Sequence, residues 1–157
     1  MNDKEKFFRE EYIPLLKKLK GDEKPLWGKL SAQAMIEHMT DSIGIGWKRI
    51  SFPPYTKAED LPKAKAFMLS NKPFKENTPN PYMPDVPLLR NKNIEESITE
   101  LEKEIQNFIQ FHKDNPGIVV QNPFFGDLNY EEWLHLLYKH ALHHLKQFGL
   151  IDKIEIE

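Results

Sequence analysis

The chain of 157 residues has no cysteine. That absence excludes a disulfide framework, a thiolate metal site and a cysteine nucleophile. It also lacks any apolar run approaching the ~20 residues a membrane span requires. Its opening residues, Met1-Asn2-Asp3-Lys4-Glu5-Lys6, lack the apolar stretch of a signal peptide, so a cytoplasmic protein is expected. Charge of one sign is missing too. Twenty-two Lys+Arg stand against 24 Asp+Glu, a formal charge of −2. A nucleic-acid binder would need clustered Lys and Arg to displace counterions, so none is expected as a partner, and no membrane either. Internal repeats, low-complexity tracts and evident strand hairpins are absent as well.

What is present suffices for a core: 39% of residues are hydrophobic and 11% aromatic, in a length that fits one domain over residues 1–157. Four segments carry helical periodicity. The first, Asp3 to Leu19, sets Phe7, Phe8, Ile13, Leu15, Leu16 and Leu19 on one side, with Pro14 predicting a kink or break. The second, Ser31 to Trp47, has Ser31 as N-cap, and Gly44 and Gly46 weaken its end. The third follows a capping box at Asn93-Ile94-Glu95-Glu96 and stops at Asn115-Pro116-Gly117. The fourth follows a second such box at Asn129-Tyr130-Glu131-Glu132 and runs to about Phe148, with Gly149 as its stop.

Between the second and third lies a stretch, 50–92, holding eight of the twelve prolines: Pro53, Pro54, Pro62, Pro73, Pro79, Pro81, Pro84 and Pro87. Such density forbids a long helix or a central strand, and leaves room for a short helix between Leu61 and Ser70. Its aromatics Phe52, Tyr55, Phe67, Phe74 and Tyr82 predict a segment packed down on the protein. The tail from Leu150 alternates isoleucine with charge, as a short strand or an extended arm would. These elements predict an all-α fold, an antiparallel four-helix bundle with a long Pro-rich connection between helices 2 and 3.

The six histidines speak to chemistry. His140 and His144 are four apart on a helix and share a face with Trp133, Leu136, Leu137 and Gln147. His143 falls at the edge of that face; His135 falls opposite, toward solvent. Spacing alone decides little, because six histidines in this length give such a pair by chance often enough. A third imidazole from another helix adds weight. His38 lies on the apolar face of the second helix, with Ala34, Met35, Ser42 and Ile45. A single buried histidine is more often a hydrogen-bonded core residue than a ligand, and His112 fits the cap of a C-terminal carbonyl. Three inward imidazoles without partners would cost several kcal/mol, and a cation would satisfy all three. Three neutral imidazoles leave one tetrahedral position open, as in catalytic rather than structural zinc.

Two motifs resemble a known family. The run Lys24-Pro25-Leu26-Trp27-Gly28-Lys29-Leu30-Ser31, continuing to His38, is similar to the first motif of the DinB/YfiT-like metalloenzyme superfamily. Asn122-Pro123-Phe124-Phe125-Gly126-Asp127-Leu128, then Glu132-Trp133, then Tyr138 to Gly149, resembles the closing signature of one branch, a domain of unknown function. The resemblance implies a four-helix bundle with His38, His140 and His144 as ligands of a divalent metal ion, zinc or nickel foremost. It also implies kinship with thiol-dependent transferases and isomerases. The chain departs from the pattern at Asn122, where relatives often carry His, and at Leu142, where they often carry Asp.

Supporting roles fall to three residues. Asp41, one turn beyond His38, would orient a ring or accept a proton, against the plainer reading of an exposed helix carboxylate. Gln147 would hydrogen-bond a ring or bound water, and His143 would act as an acid or base at the site's edge. Glu37 points away and reads as surface; Trp133 reads as core. The Pro-rich segment or the Pro123–Gly126 loop would cover the pocket. The expected function is a metal-dependent transferase or hydrolase acting on a small molecule, with any thiol supplied by a low-molecular-weight cosubstrate. The alternative is a non-catalytic metal- or ligand-binding bundle, its metal closed off by a fourth protein ligand such as His143, His112 or Asp41. Bundles of this kind commonly pair, so a homodimer is expected.

Overall fold

The computed structural model describes residues 2–156. Helix α1 spans residues 3–16. Asn2 caps it by accepting from the Glu5 N–H at 2.7 Å. Its middle turn, Phe7–Glu11, widens to π geometry, the Tyr12 N–H reaching back to the Phe7 carbonyl. The cause lies downstream: Pro14 has no N–H to offer, and its ring would strike the Glu10 carbonyl at α spacing. The expected kink is thus a widened turn, and the helix closes at Leu16, three residues early.

Helix α2, Ala32–Ile45, starts where the Ser31 hydroxyl accepts from the Ala34 N–H. At its end Gly46 does more than weaken the helix. A Cβ there would stand 2.9 Å from the Phe108 ring and 3.1 Å from Trp133, so only glycine lets these elements meet. Helix α3, Leu61–Leu69, follows a 3₁₀ turn at Ala58–Asp60 and carries Pro62 in its first turn. Helix α4, Ile94–Asp114, has its N-terminal cap from Asn93, but Glu96 turns back to the Lys92 N–H rather than closing the expected box on Asn93. Helix α5, Tyr130–Gln147, has both halves of its capping box, Asn129 and Glu132.

Between α4 and α5 stands a hairpin of β1, Val120–Asn122, and β2, Gly126–Leu128, antiparallel with Val120 opposite Leu128. The Asn122 side chain accepts from the Phe124 and Phe125 N–H groups and folds the turn, and Gly126 takes the left-handed φ of +80° that closes it. The described tail, residues 150–156, bends at 150–153 and forms no strand, and its Leu150, Ile151, Ile154 and Ile156 pack on the core.

Among the described residues the expected four-helix bundle is therefore corrected to five helices and a small antiparallel hairpin. The fifth is α3, inside the Pro-rich segment, and it is docked on α5. The Lys139 ammonium, buried in α5, donates to the carbonyls of Phe67, Met68 and Ser70 at 3.0–3.2 Å. It also lies 4.8 Å from the ring centres of both Phe67 and Phe74. One cation thus ties down the carbonyl end of the helix, and Lys65, paired with Glu132 at 3.1 Å, holds its middle to α5. The main helical layer is α2 along α4, with α5 against α2 and α3. Trp133, Met35, Met39, Leu101 and Leu145, all buried, lie in the one core that these helices share.

Candidate metal centre

The second helix brings one imidazole and the fifth brings two. His38 comes from the middle of α2; His140 and His144 come from successive turns of α5. Their Nε2 atoms converge. His38 Nε2 stands 3.0 Å from His140 Nε2, which stands 2.9 Å from His144 Nε2. Candidate ligand atoms of all three lie within 4.8 Å of one another.

The protons at this junction can be assigned by elimination. The Gln147 amide bridges His144 Nδ1, at 2.7 Å, and the Trp27 carbonyl, at 2.9 Å. That carbonyl only accepts, so the amide nitrogen faces it and the amide oxygen faces His144. His144 Nδ1 therefore carries the proton, and its Nε2 presents a lone pair to the cluster. If His140 Nε2 donates to that lone pair, it has none left to receive a proton from His38. If it does not donate, two lone pairs face each other. No pattern of neutral rings makes both contacts full hydrogen bonds. A cation accepts all three lone pairs at once. Two nitrogens bound to one ion at ~2.0–2.1 Å stand roughly 2.9–3.4 Å apart for angles from square to tetrahedral. The two Nε2 contacts sit at the compact end of that range and the third pair lies within 4.8 Å, so the three imidazoles form a donor set able in principle to hold a divalent metal.

Electrostatics keep the lone pairs available. Burial pushes His38 down to about 4, against the charge of Asp41, which favours its protonated form. Burial likewise holds His140 and His144 well below the ordinary histidine range, and the neighbouring imidazoles add to the effect on both.

The remaining expected residues are placed as follows. Gln147 touches the cluster, as just described. His143 packs edge-on against Trp27 at 5.4 Å and against His144 at 5.1 Å, outside the three-nitrogen group. Asp41 pairs with Arg90 at 3.1 Å and Arg49 at 3.5 Å, and only its charge is felt at His38. Glu37 is corrected from surface to buried. It accepts from the Arg90 and Asn91 N–H groups, from the Ser97 hydroxyl and from Gln33, and so pins the end of the Pro-rich segment to α2. His112 caps a carbonyl, though not in its own helix: its Nε2 meets Gly46 at the end of α2, at 2.8 Å. His135 is half-buried rather than solvated, with its Nε2 3.1 Å from the Ser70 carbonyl. Trp133 is core, its indole N–H donating to Val120.

The three imidazoles line a cleft of about 990 Å³. One wall is α2 and α5. The others are the Trp27–Leu30 turn, residues 74–90 of the Pro-rich segment and the hairpin turn at 122–125. Both proposed covers therefore border the site. No helix among the described residues is long and apolar enough to cross a membrane. Comparison with protein-family models, with curated proteins and with solved structures gives no match. What the site can do is read from its own geometry.

Proposed function

We propose that this chain is a metal-dependent enzyme that uses His38, His140 and His144 to hold a divalent cation, zinc or nickel foremost, against a small-molecule substrate. The observation that carries this reading is the convergence of three Nε2 atoms from two helices on the floor of a cleft. No carboxylate or further imidazole joins them among the described residues. Asp41 is held by two arginines and His112 by Gly46, which supports a coordination position left to a non-protein ligand. Such a cation supplies Lewis acidity, lowering the pKa of a water or of a low-molecular-weight thiol. Gln147 fixes the tautomer and orientation of His144. His143, neutral near pH 7 because burial outweighs the pull of the Phe74 backbone and Glu76, takes or returns a proton at the cleft wall. The two histidine-bearing motifs resemble those of the DinB/YfiT-like metalloenzymes. That supports the same ligand set, while the five-helix fold departs from the bundle the resemblance implied.

Metal analysis of untagged protein reconstituted with zinc or nickel tests the reading. The parent should hold one equivalent and the His140→Ala variant far less. Equal metal content in both would overturn it. A screen of thiol cosubstrates on the loaded protein then separates S-transfer from hydrolysis.

A further inference from the structure

The cleft also carries information about what binds there. Its walls hold a continuous series of aromatic rings. Phe52 stacks on Tyr82 at 4.6 Å, Tyr82 meets Phe124 at 5.9 Å, Phe124 meets Phe125 at 6.3 Å, and Phe125 stacks toward Phe74 at 6.3 Å. All five line the same cleft as the three imidazoles. Two polar groups beside the rings are already engaged. The Tyr82 hydroxyl donates to the Pro53 carbonyl at 2.7 Å, and the Asn122 side-chain Oδ1 accepts from two backbone N–H groups. The rings offer a ligand their faces and edges.

The charge at the floor points the same way. Three neutral imidazoles leave a divalent cation with its full charge. The nearest carboxylates offset it only in part: the charge of Asp41 reaches His38 but is shared with Arg49 and Arg90, and Glu37 is engaged by four donors. Arg90, the arginine on the cleft lining, is committed to Asp41 and Glu100, and the lysines Lys29 and Lys75 on the same lining add to the attraction for an anion. An anionic donor at the metal is favoured by direct Coulomb attraction in a desolvated site. A volume near 990 Å³ suits a small molecule.

We infer that the ligand of this cleft is a small monoanion whose donor head binds the metal and whose body is a planar apolar ring lying on the Phe52–Tyr82–Phe124–Phe125–Phe74 wall. The inference rests on the metal reading and adds the class of ligand. It can be tested with cobalt-loaded protein titrated with benzohydroxamate and with acetohydroxamate, two probes sharing one head and differing in the ring. The cobalt visible spectrum reports both metal occupancy and head binding. Benzohydroxamate should bind at least tenfold more tightly. Phe124→Ala should erase most of that preference, with cobalt content unchanged. Phe124→Leu, which keeps an apolar side chain in the wall, should retain part of it and guards against a folding defect. Equal affinity of the two probes on fully loaded protein would overturn this inference and leave the metal site standing. So would a preference unmoved by both Phe124 variants. Failure of cobalt to bind at the histidines would remove both readings.

Discussion

Gln147 shows how much one side chain decides. Its amide is fixed by a carbonyl that can only accept, and it in turn fixes which nitrogen of His144 faces the cluster. Gln147→Leu removes that constraint with little change of volume, so metal affinity should fall roughly 10–100-fold, as measured by competition with a chromophoric chelator. An unchanged affinity would mean that packing alone orients the ring. His112 offers a second test at this scale. Burial holds its imidazole below the ordinary range, and the bond to Gly46 only partly opposes this. The unfolded chain takes up a proton near pH 6.5, where the folded imidazole resists it. Stability is therefore lost as the pH falls through that value. His112→Gln keeps a donor without titrating. Its urea midpoint should fall less between pH 7 and pH 5 than the parent's, and parallel slopes would contradict the assignment. The three histidines of the cluster were legible from helical spacing and facial position. The burial of Glu37 was not, because its four partners come from residues 33, 90, 91 and 97, and only the fold brings the last three alongside it.

Among the elements, the long ones announced themselves through caps and periodicity, and the short ones did not. Strands of three residues are too brief to show a period of two, so the hairpin at 120–128 read as a loop. Its turn chemistry, Asn122 with Pro123 and Gly126, was the signal present. Helix α3 was visible as nine residues free of interior proline, but nothing local says where it docks. That is settled by Lys139, whose ammonium reaches three carbonyls from a position on α5 about 70 residues later. Lys139→Met removes the one donor that those three carbonyls share, while Phe67 keeps its bonds from Ser70 and Ser70 keeps its contact with His135. Amide hydrogen exchange should then quicken in 61–70 while α2 and α4 keep their protection. Uniform loss of protection across all helices would show instead that Lys139 supports the whole core.

At the scale of the molecule, five helices and a hairpin place two rods side by side so that one imidazole from α2 meets two from α5. The surrounding loops then form a cleft above them. Binding to the folded state alone stabilises it by mass action, since the unfolded chain has no such convergence. Zinc or nickel in excess should raise the melting temperature of the parent and leave His140→Ala almost unmoved, as followed by circular dichroism. The central claim is that these three imidazoles share one cation and leave it a position for a ligand from solution. X-ray absorption on cobalt-loaded protein measures this most directly. The account predicts three imidazole nitrogens at about 2.0–2.1 Å together with at least one non-protein light atom that benzohydroxamate displaces. A spectrum fitted by fewer than three imidazoles, or by four protein ligands with no exchangeable neighbour, would contradict it.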